Sequence, residues 1–351
     1  MIAGGGFTAV FVPDELVAAV SDDAWVAAML EAEAALAAAQ AEEGVISAED
    51  AAAVAAACRE SYEVDGRDAA NPVVPLARAL RERAREAHRG ATSQDILDTA
   101  AMLVARRARA LILAQLDGVV DACGVLADEH RATVMAGRTL MQQAQPTTFG
   151  LKAAGWLAGV AAGREGLAQV ELAAQLGGPV GVMSPALTAR FAERLELAAP
   201  PLPWHADRTR VARLGAALAI AAGACEKVAL DVVLLAEAGE VAEASDHGRG
   251  GSSSMPHKHN PVGAIRARAA ARHVRGAVSV LLEAMAGEHE RAAGAWQSEW
   301  GALSAALAGT GGAAWSLREA LEGLTVHPHD VEGAPDQTTV NELIDRALEL
   351  E

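Results

Sequence analysis

Residues 251–261 read Gly-Ser-Ser-Ser-Met-Pro-His-Lys-His-Asn-Pro. This stretch brings together three hydroxyls, one ammonium and two imidazoles. Its end carries the chemistry of a helix start, since Asn260 suits an N-cap and Pro261 the first helical position. A helix start offers unpaired N–H groups and partial positive charge to an anion, and Lys258 adds a full charge beside them. The parts of a carboxylate or phosphate site are therefore present. The same composition also suits a flexible surface linker with an ordinary cap.

Two more polar clusters interrupt apolar sequence. Residues 90–95 read Gly-Ala-Thr-Ser-Gln-Asp. Thr92 and Asp95 have capping-box spacing, which accounts for Thr92 alone. Thr92, Ser93, Gln94 and nearby backbone N–H groups together can hold a carboxylate. Residues 137–150 contain Arg138, Thr139, Gln142, Gln143, Gln145, Thr147 and Thr148 around Pro146. A stretch this polar between apolar helices is either solvated or lines a site.

Long helices must position these clusters. Apolar-periodic runs are expected over residues 22–43, 96–128, 207–244 and 262–290, with shorter ones from 47 and over 72–87. Residues 169–176 are expected to close a further helix. Residues 1–12 read as an extended arm, and Pro13-Asp14-Glu15 as a helix start. Trp25, Met29, Ala32 and Leu36 recur at helical spacing and are expected in the core. Glu237, Glu240 and Glu243 recur every three residues and read as a solvated stripe. No β-run of useful length stands out, so the fold class expected is all-α.

Composition bounds the function. The 351 residues are 52% hydrophobic but only 3% aromatic. Alanine forms helices well and fills cores poorly, which points to closely packed helices and burial through oligomerisation. A formal charge of −17 argues against nucleic acid or an anionic membrane surface as a partner. An anionic substrate would need positive charge gathered locally. Cys58, Cys123 and Cys225 are odd in number and widely spaced, which suits a reducing cytoplasm and disfavours a structural metal. His257 and His259 lack zinc-ligand partners. The N-terminus has no basic segment of the signal-peptide kind. The apolar run 214–225 is too short for a bilayer. No cofactor is expected.

The three clusters, with the last matching G-S-S-x-M-P-x-K-x-N at each fixed position, resemble the fumarase/aspartase superfamily. The stretches 90–95, 146–156 and 289–296 are most similar to its bacterial 3-carboxy-cis,cis-muconate cycloisomerases. The resemblance implies an all-α homotetramer around a bundle of long helices. Each active site would combine the loops 92–95, 138–148 and 252–260 from three different subunits. It implies an N-terminal domain over 1–100, the bundle over 101–321 and a short tail, 322–351, where relatives carry a further helical domain. It implies Ser252 as the proton-transferring residue, with Lys258 beside it in catalysis. Thr92, Ser93, Gln94, Arg138, Thr139, Gln142, Thr147, Ser253, Met255 and Asn260 would hold a small tricarboxylate. A salt bridge at a helix end is the alternative account of Arg138.

Two departures from the family pattern bear on chemistry. Many of its lyases carry a histidine after the Arg-Thr pair and a glutamate five residues after the signature asparagine. Here these positions are Leu140 and Ile265. Enzymes that expel hydroxide or amine need an acid or base there. A lactonising enzyme does not, because the attacking carboxylate is already ionised. The implied reaction is therefore the conversion of 3-carboxy-cis,cis-muconate to 4-carboxymuconolactone, in the protocatechuate branch of the β-ketoadipate pathway. Negative charge would build on a carboxylate β to the new bond, stabilised by Lys258, Asn260 and loop N–H groups. Ser252 would deliver the α-proton. An adenylosuccinate-type lyase and an inactive structural relative are the alternatives.

Overall fold

The computed structural model describes residues 10–244, 250–251, 255, 258–327 and 331–350. Most of the extended arm expected at the N-terminus lies outside them. The all-α expectation holds: eleven α-helices dominate the described residues, beside two small two-stranded sheets.

The central element is α5 (Ser93–Glu129), 37 residues long and so about 55 Å from end to end. It is long and apolar enough to cross a membrane by length and composition. In this fold its apolar side packs into the core. Ile96, Leu103, Val104, Ile112, Leu116 and Val119 are fully covered, chiefly by α6 (Phe149–Ala168) and α10 (Ala295–Glu322). A further pair, α8 (Thr209–Glu237) and α9 (Val262–Glu283), completes the bundle, with α8 touching α6, α9 and α10. Alanine and glycine along these helices let their axes approach closely, so little aromatic volume is needed.

Smaller helices close one side of the bundle. α1 (Asp14–Ala19), α2 (Asp22–Glu42), α3 (Ala48–Ala57) and α4 (Val73–Arg83) come first in the chain, and α7 (Pro185–Arg194) lies on α2. Ser21 and Ser47 cap α2 and α3 by accepting from the N–H groups of Ala24 and Asp50. Trp25, Met29, Ala32 and Leu36 are buried, as their spacing requires. The tail helix α11 (Gln337–Leu348) folds back onto α6, and the Gln337 amide donates to the Arg131 carbonyl at 3.0 Å.

The structure corrects three expectations. Residues 134–148 form a hairpin, β1 (Val134–Thr139) with β2 (Gln142–Thr148), where a loop was expected. The helix expected over 207–244 ends at Glu237. Val241–Ala242 (β3) then pairs with Thr325–Val326 (β4). Residues 170–176 are extended rather than helical, bridged to Ala198 through Ala173.

Chain direction fixes where everything functional lies. α5 begins at Thr92 and ends at His130, immediately before the hairpin. α8 begins beside the α5 start, where Arg208 meets Asp98, and ends beside the hairpin, where Glu240 meets Arg138. α9 returns to the first end, and α10 runs back to the second. The bundle thus has two functional ends, separated by the length of α5.

Candidate active site

The first end is built around two buried carboxylates on the first turns of α5. Asp95 accepts from the backbone N–H groups of Thr92 at 2.9 Å, Gly177 at 2.8 Å and Gly178 at 2.9 Å, and meets His205 Nε2 at 2.7 Å. Gly178 sits at φ +66°, a conformation glycine reaches without strain. That lets successive N–H groups face one carboxylate. Asp98 is held by Arg208 at 2.8 and 3.0 Å, by the Trp296 indole at 2.9 Å and by the Gln94 amide at 3.0 Å. Arg208 is 3% exposed. It also binds Glu299, through Nε at 2.9 Å, and lies over the Trp204 ring. Burial pushes the Glu299 carboxyl above its ordinary range, with Arg208 opposing.

This network supports a small, partly open surface. Thr92 and Ser93 are half-buried there. The Thr92 hydroxyl accepts from Arg291, which comes from the segment between α9 and α10. Gln94 is turned inward: its side chain is buried, and both its donors serve Asp98 and the His205 carbonyl. Its amide nitrogen thus supports the loop from below, while its buried Oε1 has no partner among the described residues. Arg291 was missed as a site residue, although residues 289–296 had been noticed as family-like.

The second end is the hairpin and the stem of the serine-containing segment. The hairpin stands clear of the protomer: Thr139, Gln142 and the residues between and after them to Gln145 are exposed, and Thr147 is half-buried at its base. Its turn is Leu140-Met141, with φ of 50° and 66° and exposures of 97% and 71%. Two-residue hairpins need left-handed backbone at both positions, normally supplied by Asn-Gly. Leucine and methionine carry none of that signal, so the hairpin could not be read from the sequence. Arg138 grips both carboxylate oxygens of Glu240, which holds the guanidinium pKa above its ordinary value. Arg138 thus forms a salt bridge, made from a strand rather than from a helix end. Beside it Lys152 is half-buried, and burial lowers its pKa.

The serine-containing segment is closed at its base. The Asn260 N–H and side-chain amide both donate to the Gly250 carbonyl, at 2.8 and 3.2 Å, and Gly251 bridges His259. Gly250 has φ +75°, and a side chain there would collide with the Asn260 backbone at 2.5 Å. Two expectations are corrected here. Asn260 does not cap α9, because Pro261 occupies the N-cap and Asn260 is turned to Gly250. The N–H groups at the α9 start are not open to an anion either, because Glu243 takes those of Gly263 and Ala264, each at 2.8 Å. Glu240 and Glu243 are therefore ties, not a solvated stripe. Met255 and Lys258 are exposed, and Lys258 forms no ion pair with any described residue. Ser252 and Ser253 lie outside the described residues.

Within one protomer Arg138, Thr139, Gln142 and Thr147 lie on the hairpin, tied through Arg138 to Glu240 at the same end of the bundle as the stem that carries Lys258 and Asn260. The structure places Thr92 and Ser93 at the opposite end of α5. A family model described as Lyase matches residues 11–276. The chain belongs to the fumarase/aspartase superfamily of lyases. Enzymes of this superfamily act on small carboxylates and are typically oligomeric. Over 341 residues the chain is 47% identical to nitrosuccinate lyase from Streptomyces davaonensis, covering 88% of this chain and 72% of the relative. It is 39% identical to 3-carboxy-cis,cis-muconate cycloisomerase from Pseudomonas aeruginosa, covering 91% of this chain and 75% of that one. The crystal structure of the 3-carboxy-cis,cis-muconate lactonizing enzyme from Pseudomonas putida superposes with a TM-score of 0.86 at 36% identity, covering 97% and 80% of the two chains.

Proposed function

We propose that this superfamily enzyme makes or breaks a bond at the carbon β to a carboxylate, with a weakly basic anion as the attacking or departing group. The observation that carries this reading is the pair of apolar residues at Leu140 and Ile265. Neither hydrocarbon side chain carries an ionisable group, so neither supplies a proton to a departing hydroxide or amine. A carboxylate needs no proton to leave. Neither does nitrite.

The finer reading is lactonisation of 3-carboxy-cis,cis-muconate, supported by relatives in sequence and in structure alike. Ser252 transfers the α-proton. Lys258 and Asn260 stabilise the charge that builds on the neighbouring carboxylate, as preorganised donors do in such sites. Thr92, Ser93, Arg138, Thr139, Gln142, Thr147, Ser253 and Met255 line the substrate. A second reading, elimination of nitrite from a nitrosuccinate, is favoured by the higher identity to that lyase.

The distance along α5 requires copies to cooperate. One protomer's Thr92 and its own hairpin are about 55 Å apart, far beyond the reach of one small substrate. A complete site in this reading joins the first end of one copy to the second end of others, and the resemblance to the superfamily supports four copies. The test is an ultraviolet assay on purified protein. Loss of diene absorbance with 3-carboxy-cis,cis-muconate, yielding 4-carboxymuconolactone, establishes lactonisation. Nitrite release from nitrosuccinate, with the muconate unchanged, establishes the second reading. Turnover of adenylosuccinate alone, or of nothing, overturns the proposal.

A further inference from the structure

We infer that Glu243 is a positioning residue that occupies the α9 start with an internal carboxylate and thereby fixes the register of Lys258 and Asn260. Each of its oxygens accepts one N–H of the first turn, from Gly263 and from Ala264, both at 2.8 Å. A carboxylate at that place gains from the helix dipole as well as from two charge-assisted hydrogen bonds. Its own backbone is held from the other side, since it follows β3, which is paired to β4. Glu243 and Gly263 enclose the whole serine-containing segment. A second tie lies inside the first, where Asn260 and His259 meet Gly250 and Gly251. Lys258 thus projects from a short stretch clamped twice within five residues of the helix.

Specificity follows from the same contact. Two N–H groups and a helix dipole that would otherwise receive a substrate carboxylate are already filled. Substrate carboxylates at this helix start must then be held by side chains, Lys258 foremost, since Arg138 shares its charge with Glu240 and Arg291, hydrogen-bonded to the Thr92 hydroxyl, lies at the other end of the bundle.

The role in turnover rests on the proposed activity, so the test has one part that does not. In the full-length protein, amide hydrogen exchange at Gly263 and Ala264 should be slow, and fast in Glu243→Ala; equal protection in both overturns the inference. In turnover, Glu243→Gln keeps one acceptor and should lower kcat roughly tenfold with KM little changed, as misplacement of a working group does. Glu243→Ala should fall further and be partly restored, saturably, by added formate or acetate. Unchanged kcat in both variants, or a loss that neither anion restores, overturns it. If the wild-type protein turns over neither substrate, the functional reading fails, and the exchange result still decides the role of Glu243.

Discussion

The two ends of the bundle solve opposite problems. At the Thr92 end, charges lie in low dielectric and nearly every one is matched: Asp95 has donors from three backbone N–H groups and His205, and Asp98 shares Arg208 with Glu299. At the hairpin end, the ties among the described residues include the Arg138–Glu240 pair, a two-residue strand pairing, the Glu243 clamp and the closure of Asn260 on Gly250. The first end is fixed by the folding of a single chain. The second end presents the exposed side chains, and in the proposed assembly it completes its site only against other copies. Rigid support sits under the Thr92 loop, while the ties at Glu243 and Asn260 form a narrow stem at the other end.

That contrast can be tested by damaging each end in turn. Ser252→Ala should cut turnover by about 10²–10⁴, the usual contribution of a positioned proton carrier, while leaving the oligomer intact by size-exclusion chromatography; full activity would remove Ser252 from the mechanism. Asp98→Ala leaves Arg208 paired to Glu299 but unpairs its other N–H groups and the Trp296 N–H in the interior, and should destabilise the protein in urea unfolding by roughly 1–3 kcal/mol per buried donor left unsatisfied. Arg138→Met removes a pair near solvent and should change stability by less than about 1 kcal/mol. It should still raise KM severalfold, and a stability loss as large as that of Asp98→Ala would erase the distinction between the ends. The smallest effect concerns pH. Burial raises the Glu299 pKa above its ordinary 4.5, so the folded protein binds that proton more readily than the unfolded chain. Its contribution to stability is complete below the ordinary pKa and is lost as pH rises through the folded value. Glu299→Gln should flatten this slope in melting temperatures measured upward from about pH 4.5.

Much of the helical architecture was legible because alanine-rich periodicity and caps at Ser21, Ser47 and Thr92 agree with tertiary packing. The three clusters were legible because polar residues interrupt that pattern. Long-range partnership was not. Glu240 and Glu243 looked like ordinary helix surface until the chain bent at Gly239, and their partners lie 102 and 20 residues away. Asn260 read as a cap by residue type, yet the closure of the preceding segment gives its amide to Gly250. Gln94 read as a ligand by its neighbours, yet the helix period turns it under the loop toward Asp98. The hairpin escaped notice because Leu140-Met141 adopts a turn that its residue types disfavour.

The length of α5 has a consequence at the level of mixed populations. In the proposed assembly, with sites drawn from opposite ends of different copies, a chain broken at Thr92 and a chain broken at Ser252 would each be inactive alone. Refolded together, they form oligomers in which some sites draw the intact Thr92 end from one parent and the intact Ser252 end from the other. A strut about 55 Å long thus turns two dead alleles into a partly living mixture.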